Sequence, residues 1–193
     1  MNFDAYAFSR QSGFVEADMR KAFKQAVPLR TIVVYCYDPR AVNIPHAVAK
    51  VMPGEVYPGE IIHDESGRKV ASTTTIFPVI VAGGRAVDAL RSITVAQHLF
   101  GIENIVIVHH TYCGATTFTP EGLIRDFNAE QGVDISALYD RGNIAIADYS
   151  SSLKRDVRLI RESKGTPKGV RIVGYLFDID TEALTLVAED RAG

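Results

Sequence analysis

The sequence has no apolar run that approaches the roughly 18 residues of a membrane-spanning helix, so no membrane span is predicted. It also has little net charge: 21 lysine and arginine residues stand against 23 aspartate and glutamate residues, which gives −2 at pH 7, and we find no basic stripe. Nucleic acid is therefore not an expected partner. The first thirty residues are charged throughout and lack the apolar core of a secretory signal, which favours a cytoplasmic location.

Cysteine is equally scarce, and internal repeats and low-complexity segments are absent. The two cysteines are Cys36 and Cys113. A cytoplasmic location disfavours a disulfide between them, and two buried structural thiols would be the ordinary alternative. However, each cysteine follows a short apolar run and has polar, titratable neighbours. This context favours metal ligation over both alternatives.

The composition is otherwise that of a globular protein. With 193 residues, of which 47% are hydrophobic and 23% charged, the chain is long enough for one domain over residues 1–193 with a full core. Strand-like and helix-like segments alternate along most of its length, which predicts an α/β fold with a mostly parallel central sheet and helices on both faces. Near the C-terminus, Ala183–Val187 is predicted to return antiparallel beside the strand Val170–Phe177.

Residues 1–30 are predicted to form an N-terminal helical arm. Met1–Gly13 contains several aromatic residues and is too short to bury their rings in a core of its own. Val15–Val27 has the periodicity of an amphipathic helix and ends before Pro28. The arm either lies on a partner subunit or packs on its own domain, and the sequence favours neither arrangement.

The remaining elements follow from hydrophobic periodicity and from proline and glycine positions. Further strands are predicted at Thr31–Tyr35, Val56–Ile62, Thr74–Ala82 and Asn104–Val108, and further helices at Ile44–Val51, Ala86–Phe100, Thr119–Gln131 and Asp148–Ser163. Pro78 lies inside one of these strands and lacks a backbone donor, which predicts an edge position or an irregular path.

Polar side chains follow the buried strand Thr31–Tyr35. Continued alternation would point Cys36, Asp38 and Arg40 to one side of the sheet. A thiolate, a carboxylate and a guanidinium have no packing reason to be together, but they suit a site in which Cys36 binds a metal and Arg40 pairs with Asp38. Asp38 then either orients metal-bound water or ligates the metal itself, and a bidentate pair with Arg40 favours the first role.

A second set of potential ligands follows the strand Asn104–Val108. His110 and Cys113 are three residues apart, so one turn can wrap an ion, and Cys36 from the neighbouring strand end completes a Cys₂His set. Zinc prefers thiolate and imidazole ligands, and three protein ligands leave one position for water, as in catalytic sites. His109 remains a competing ligand if the strand ends early.

A Gly-Gly turn separates the strand Thr74–Ala82 from the helix Ala86–Phe100. Gly83 and Gly84 permit close approach of the backbone to a small ligand and leave N–H groups that can bind it. We expect this turn to contact the substrate, although a tight turn without a ligand is the usual case. Because the dinucleotide-binding spacing is missing, NAD is not predicted.

Taken together, these motifs resemble the β-class carbonic anhydrases. The resemblance rests on Cys-x-Asp-x-Arg followed by His-x-x-Cys, and it extends through AGGRAVDALRSITVAQHLFG (Ala82–Gly101) and VIVHHTYCGATTFT (Val106–Thr119). The last two segments are similar to the compact branch of that family, which also contains carbonyl sulfide hydrolases. In order along the chain, the likeness covers roughly residues 31–187.

The resemblance implies a site and an activity. It implies Zn²⁺ on Cys36, His110 and Cys113, an Asp38–Arg40 dyad, and reversible hydration of CO₂ to bicarbonate by zinc-bound hydroxide. It further implies a homodimer or homotetramer in which the N-terminal arm embraces a partner subunit. The expected partners are thus a small-molecule substrate and further copies of the chain.

Three positions depart from the family pattern. Ile80 and Val81 replace a common Arg-Asn pair, Tyr112 replaces a common Asp, and Pro39 replaces Ser or Ala. Fewer polar groups near the cleft could lower carbonic anhydrase activity or suit a less polar substrate. Hydrolysis of carbonyl sulfide or carbon disulfide, with release of H₂S and CO₂, is therefore the alternative activity. A catalytically silent zinc-binding protein is a third hypothesis.

Overall fold

A five-stranded sheet forms the centre of the computed structural model, which describes residues 3–191. The strands are β1 (Thr31–Cys36), β2 (Ile61–His63), β3 (Lys69–Ser72), β4 (Ile76–Val81), β5 (Asn104–His110), β6 (Arg171–Phe177) and β7 (Leu184–Asp190). The central sheet has the order β4-β1-β5-β6-β7, and its neighbours pair in parallel except for the antiparallel pair β6-β7. The predicted mostly parallel sheet with a C-terminal antiparallel strand is confirmed.

The predicted helices are present with shifts of at most one residue at their ends, except that the segment predicted as a helix over Ala86–Phe100 begins with a 3₁₀ turn at Ala86–Ala89. They are α1 (Glu16–Ala26), α2 (Ile44–Val51), α3 (Leu90–Phe100), α4 (Pro120–Gln131), α5 (Arg141–Ile144) and α6 (Tyr149–Glu162). Thr119 caps α4 by accepting the N–H of Gly122 at 3.0 Å, and Asp148 caps α6 by accepting the N–H of Ser151 at 2.7 Å. The short helix α5 is not among the predicted elements. None of the helices in residues 3–191 combines the length and apolarity needed to cross a bilayer.

Strand alternation divides the core between the two faces of the sheet. On β1, Ile32 and Val34 belong to a buried cluster with residues of α3 and α6, whereas Val33 and Tyr35 belong to a cluster with residues of α2. Helices therefore cover both faces, as predicted. A fully buried aliphatic side chain of this kind contributes about 1.5–3 kcal/mol to stability.

The strand that contains Pro78 lies at the edge of the sheet. In β4, Pro78 is in register with Val33 of β1. Within the described part of the chain, β1 is the only strand that pairs with β4. An edge strand tolerates proline because its outer side needs no donor for a second ladder. The prediction of an edge position is confirmed.

The segment before β4 differs from the prediction. The strand expected at Val56–Ile62 occurs only as β2, and it pairs antiparallel with β3, which is not among the predicted strands. Asp64 closes the connecting turn by accepting the N–H groups of Ser66 and Arg68 at 2.9 and 3.0 Å. Short, exposed strands carry little hydrophobic alternation, so periodicity alone does not detect them.

The N-terminal arm contains both packed and exposed parts. The helix α1 packs on its own chain, since Phe23 contacts Phe100 with ring centroids 5.6 Å apart and Arg20 donates to the carbonyl of His98 at 2.6 Å. By contrast, the turns before it leave Phe3 and Tyr6 74% and 73% exposed. Two residues of the predicted arm, 1 and 2, lie outside the described part of the chain.

The Gly-Gly turn after β4 is wedged against the two central strands. Gly84 has a φ of +66°, and a Cβ atom there would lie 2.6 Å from the carbonyl oxygen of Val108 and 3.1 Å from the Cα atom of Tyr35. Only glycine fits such a close backbone approach in the left-handed region. The turn is therefore fixed directly beside the ends of β1 and β5.

We predict that Gly84→Ala destabilises the fold by about 2–6 kcal/mol, from left-handed strain plus overpacking. Gly132→Ala is the matched control, because Gly132 also has a positive φ, +68°, but a Cβ atom there meets nothing within 4 Å. The control should lose only about 1–2 kcal/mol. Urea unfolding followed by circular dichroism measures both losses, and equal losses would contradict the prediction.

Candidate metal centre

Two neighbouring parallel strands bring the three potential ligands together. Cys36 is the last residue of β1, His110 is the last residue of β5, and Cys113 follows in the next turn. One ligand atom from each of the three side chains lies within 4.8 Å of the others, and all three residues are buried. The predicted Cys₂His set is thus gathered at the carboxyl end of the sheet.

The donor atoms fit a tetrahedral zinc ion. The sulfur atoms of Cys36 and Cys113 are 3.9 Å apart, and Zn–S bonds of about 2.3 Å in tetrahedral geometry place two sulfurs about 3.8 Å apart. The Nδ1 atom of His110 is 2.9 Å from the carbonyl oxygen of Thr111. Its Nε2 atom is buried and has no hydrogen-bond partner within residues 3–191. A buried nitrogen that has no hydrogen-bond partner and lies beside two thiols is suited to bind a metal ion.

A hydrogen bond links the two thiols. Cys113 donates its proton toward Cys36, and this hydrogen bond lowers the pKa of Cys36 to about 4 and raises that of Cys113. The backbone N–H groups of Asp38 and Gly83 also donate to the Cys36 sulfur. Burial alone would lower the pKa of His110, but the nearby Cys36 sulfur and the contact of Nδ1 with the Thr111 carbonyl raise it overall. Of the two thiols, Cys36 is therefore the one whose surroundings favour the thiolate.

His109 is directed away from this cluster. Because β5 continues through His110, its side chains alternate to the end, and the Nε2 atom of His109 lies 2.9 Å from the hydroxyl oxygen of Ser152 on α6. Burial lowers the pKa of His109 to about 3, so the ring is neutral. The early strand end that would have made His109 a competing ligand does not occur.

Asp38 and Arg40 form the bidentate pair that the sequence suggested, although not through strand alternation. The strand ends at Cys36, and Asp38 instead caps a 3₁₀ turn at Pro39–Ala41. Arg40 Nε donates to Asp38 Oδ1 at 3.0 Å and Arg40 Nη2 to Oδ2 at 2.7 Å, which holds the pKa of Asp38 well below its usual range. Asp38 Oδ2 is 3.9 Å from His110 Nε2, so the carboxylate lies beside the ligand cluster.

The two glycines of the predicted substrate contact differ in position. Gly83 lines the cleft in front of the cluster, and its N–H group donates to Cys36. Gly84 is buried against β1 and β5 and is not among the residues that line the cleft. The structure therefore brings Gly83 to the site and places Gly84 behind it.

The cleft itself has a volume of about 810 Å³ and a mostly apolar wall. Its apolar side chains include Val87, Phe118, Leu123, Leu138 and Ile144. Asp88 adds a carboxyl group whose pKa is raised by burial. These wall residues come from five separate segments and share no sequence pattern, so the sequence analysis did not identify them.

The sequence analysis also did not identify a buried ion pair beside the cleft, between Arg85 and Asp156. The Nε and Nη2 atoms of Arg85 donate to the two carboxylate oxygens of Asp156 at 3.0 Å each, and its Nη1 atom donates to the carbonyl of Ala145 at 2.7 Å. The next residue, Ile146, packs against the cysteines of the cluster. The pair therefore ties α6 and the cleft wall to the Gly-Gly turn. Its partners are 71 residues apart, and no local signal connects them.

The chain is similar in sequence to enzymes of two kinds. The chain matches no protein-family model. It is 31% identical over 100 residues to β-carbonic anhydrase 1 of Mycobacterium tuberculosis, a match that covers 52% of this chain and 59% of that protein. It is 25% identical over 126 residues to a carbon disulfide hydrolase of Acidianus sp., covering 53% of this chain and 61% of that protein. The chain thus spans about three fifths of the length of the curated relatives that it matches.

The structural likeness extends further along the chain. The crystal structure of the carbonic anhydrase of Streptococcus mutans superposes with a TM-score of 0.62 at 25% sequence identity, and the match covers 83% of this chain and 82% of that one. Both kinds of relative, carbonic anhydrase and carbon disulfide hydrolase, are enzymes. With the parallel sheet and the Cys-His-Cys cluster at its carboxyl edge, these likenesses show that the chain has the fold of the β-class carbonic anhydrases and is similar in sequence both to such an enzyme and to a carbon disulfide hydrolase.

Proposed function

We propose that this chain is a zinc enzyme that catalyses the reversible hydration of CO₂ to bicarbonate. The observation that carries the proposal is the buried cluster of Cys36, His110 and Cys113, with Asp38 beside it at the head of a cleft. Zinc bound by three protein ligands keeps a fourth position for water and lowers the pKa of that water to about 7. The cleft gives a small electrophile access to the same place.

Asp38 is proposed to accept a hydrogen bond in the active site. Its carboxylate stays ionised because Arg40 holds its pKa low, so near neutral pH it can only accept and never donate. Arg40 engages both of its oxygens, which favours this orienting role over direct ligation of the metal. Because Asp38 lies near His110 Nε2, the donor that it can orient is one bound directly beside the cluster.

The cleft wall supports an uncharged substrate. Apolar side chains from the 3₁₀ turn at Ala86–Ala89 and from α4 and α5 line the cleft, together with the backbone of Gly83. Such a wall suits a small uncharged molecule better than an ion, because it offers few polar groups to replace lost hydration. A linear triatomic molecule would fill only a small part of 810 Å³, so entry is not limited by space.

Hydrolysis of carbonyl sulfide or carbon disulfide is the second candidate function. The same apolar wall favours it, because the sulfur atoms of these molecules are weaker hydrogen-bond acceptors than the oxygen atoms of CO₂, and the reaction takes place at the same central carbon. The likeness to a carbon disulfide hydrolase supports it as well. We place it second because no side chain of the described site is specific for a sulfur atom of the substrate.

The chain is further proposed to act as a homodimer or homotetramer. The exposed rings of Phe3 and Tyr6 support this proposal, since the arm leaves them uncovered by its own chain. The aromatic residues of the arm would then bury their surface on a second copy.

The first prediction concerns the metal. The purified protein should contain one zinc ion per chain by plasma mass spectrometry, and His110→Ala should lose it because one of three ligands is gone. His63→Ala is the matched control, since His63 is exposed on β2 outside the cleft. Full zinc content in His110→Ala would show that the ion binds elsewhere.

The second prediction concerns Asp38. Asp38→Ala should keep its zinc and lose kcat/KM for CO₂ hydration by about 10²- to 10⁴-fold, because a positioned hydrogen-bond acceptor is removed. Asp64→Ala is the control: Asp64 forms the same kind of pair with Arg68, at 2.8 Å, but on the exposed hairpin. An Asp38→Ala variant with parental activity would refute the proposed role.

The third prediction separates the substrates. On one zinc-loaded preparation, stopped-flow CO₂ hydration should be fast, and H₂S release from carbonyl sulfide and carbon disulfide should be slow. The reverse result would identify the chain as a hydrolase of these sulfur compounds. Zinc binding without either activity would identify it as a catalytically silent zinc-binding protein.

A further inference from the structure

The turn that carries Cys113 contains a residue in a strained conformation. Tyr112 has a φ of +55°, and besides Glu182 it is the one non-glycine residue with a positive φ in residues 3–191. For a residue with a Cβ atom this region is unfavourable, so the surrounding structure must hold it there. The ring does not do so, because the side chain of Tyr112 is largely exposed, at 73%.

Arg40 provides the contact that can hold this backbone. Its Nη2 atom donates to the carbonyl oxygen of Tyr112 at 3.0 Å, while its Nε and Nη2 atoms also bind both oxygens of Asp38. Asp38 follows closely after Cys36 and donates its N–H to the Cys36 sulfur. One guanidinium thus connects the segment of the first cysteine with the turn of the second.

The neighbours of Tyr112 are held from other directions. The N–H of Thr111 donates to the carbonyl of Phe177 at 2.9 Å, on the side of β6. The N–H of Cys113 reaches the hydroxyl oxygen of Tyr149 only at 3.4 Å, which is a long hydrogen bond. The carbonyl of Cys113 accepts from the N–H and the hydroxyl group of Thr116 at 3.0 and 2.7 Å, on the far side of the strained residue. Within residues 3–191, the hydrogen bond that the Tyr112 carbonyl itself accepts is the one from Arg40.

We propose that Arg40 is a positioning residue for the metal centre, which clamps the Tyr112 carbonyl and thereby keeps Cys113 in place opposite Cys36. This inference rests on the proposed zinc site and adds a role for Arg40 that is separate from its pairing with Asp38. Without the clamp, the strained turn can relax out of the left-handed region, and that rotation moves the Cys113 sulfur away from the other ligands. The consequence is faster loss of the metal.

The rate of zinc release tests the clamp without reference to activity. Zinc-loaded protein is mixed with an excess of a chromogenic chelator, and the release rate is compared between the parent, Arg40→Met and Asp38→Asn. Methionine keeps the length of the side chain but cannot donate. Arg40→Met should release zinc about 10- to 100-fold faster, the usual loss when an outer hydrogen bond of a metal site is removed. Asp38→Asn keeps the Arg40–Tyr112 contact and should stay within about threefold of the parent.

Two substitutions at Tyr112 separate backbone strain from loss of the ring. In the Arg40→Met background, Tyr112→Gly should restore slow release, because glycine adopts the left-handed region without strain. Tyr112→Ala should not restore it, because alanine removes the ring but keeps the Cβ atom. Circular dichroism of each variant verifies that it is folded, which is expected since the side chain of Arg40 is about half exposed, at 52%.

The outcomes distinguish the two proposals. Zinc release from Arg40→Met at the parental rate would overturn the clamp and leave the zinc site intact. Equal effects of Arg40→Met and Asp38→Asn, or equal rescue by glycine and alanine, would also overturn it, because Arg40 would then act only through Asp38 or through the ring. A parent protein that takes up no zinc would overturn the proposed metal site itself, and the clamp with it.

Discussion

Parallel pairing of β1 with β5 is the constraint on which the site depends. In this pair Tyr35 is in register with Val108, so Cys36 and the two histidines follow at the same edge of the sheet. Parallel strands end together by geometry, whereas the segments between them are free to vary. Two of the three candidate ligands are therefore positioned by the buried ladder and its core on both faces, and only Cys113 depends on a turn.

The surrounding structure adds contacts that fix the site from behind. Gly84 allows the turn after β4 to lie against β1 and β5, and this brings the Gly83 N–H to the Cys36 sulfur. The next residue, Arg85, is buried with Asp156, and its further bond to the Ala145 carbonyl fixes the segment before Ile146. Breaking one partner of such a buried pair costs about 3–5 kcal/mol. The stability of the core and the shape of the cleft thus depend on the same side chains.

The sequence predicted those parts of the molecule that are encoded locally. Apolar runs, caps such as Thr119, and glycine and proline positions gave the order and type of most elements. Cys36, His110 and Cys113 were identified as candidate ligands because each follows an apolar run that predicts a buried strand. The hairpin of β2 and β3 and the helix α5 escaped prediction because they are short and largely exposed, with little periodicity. The cleft wall and the Arg85–Asp156 pair depend on contacts between distant segments, which no single window of sequence contains.

The charges around the cluster would suit a zinc ion that has to withdraw electrons from a bound molecule. Two thiolates would neutralise a divalent cation, and a free carboxylate beside them would add a third negative charge, which would oppose loss of a proton from any molecule bound to that cation. Arg40 neutralises the Asp38 carboxylate in place, and the N–H groups of Asp38, Gly83 and Ala115 draw charge from the two sulfurs. Because the same guanidinium also binds the Tyr112 carbonyl, the electrostatic balance of the cluster and the proposed position of Cys113, its third candidate ligand, depend on one side chain. A substitution at Arg40 therefore changes both at once, and only measurements that separate metal retention from activity can assign the two effects.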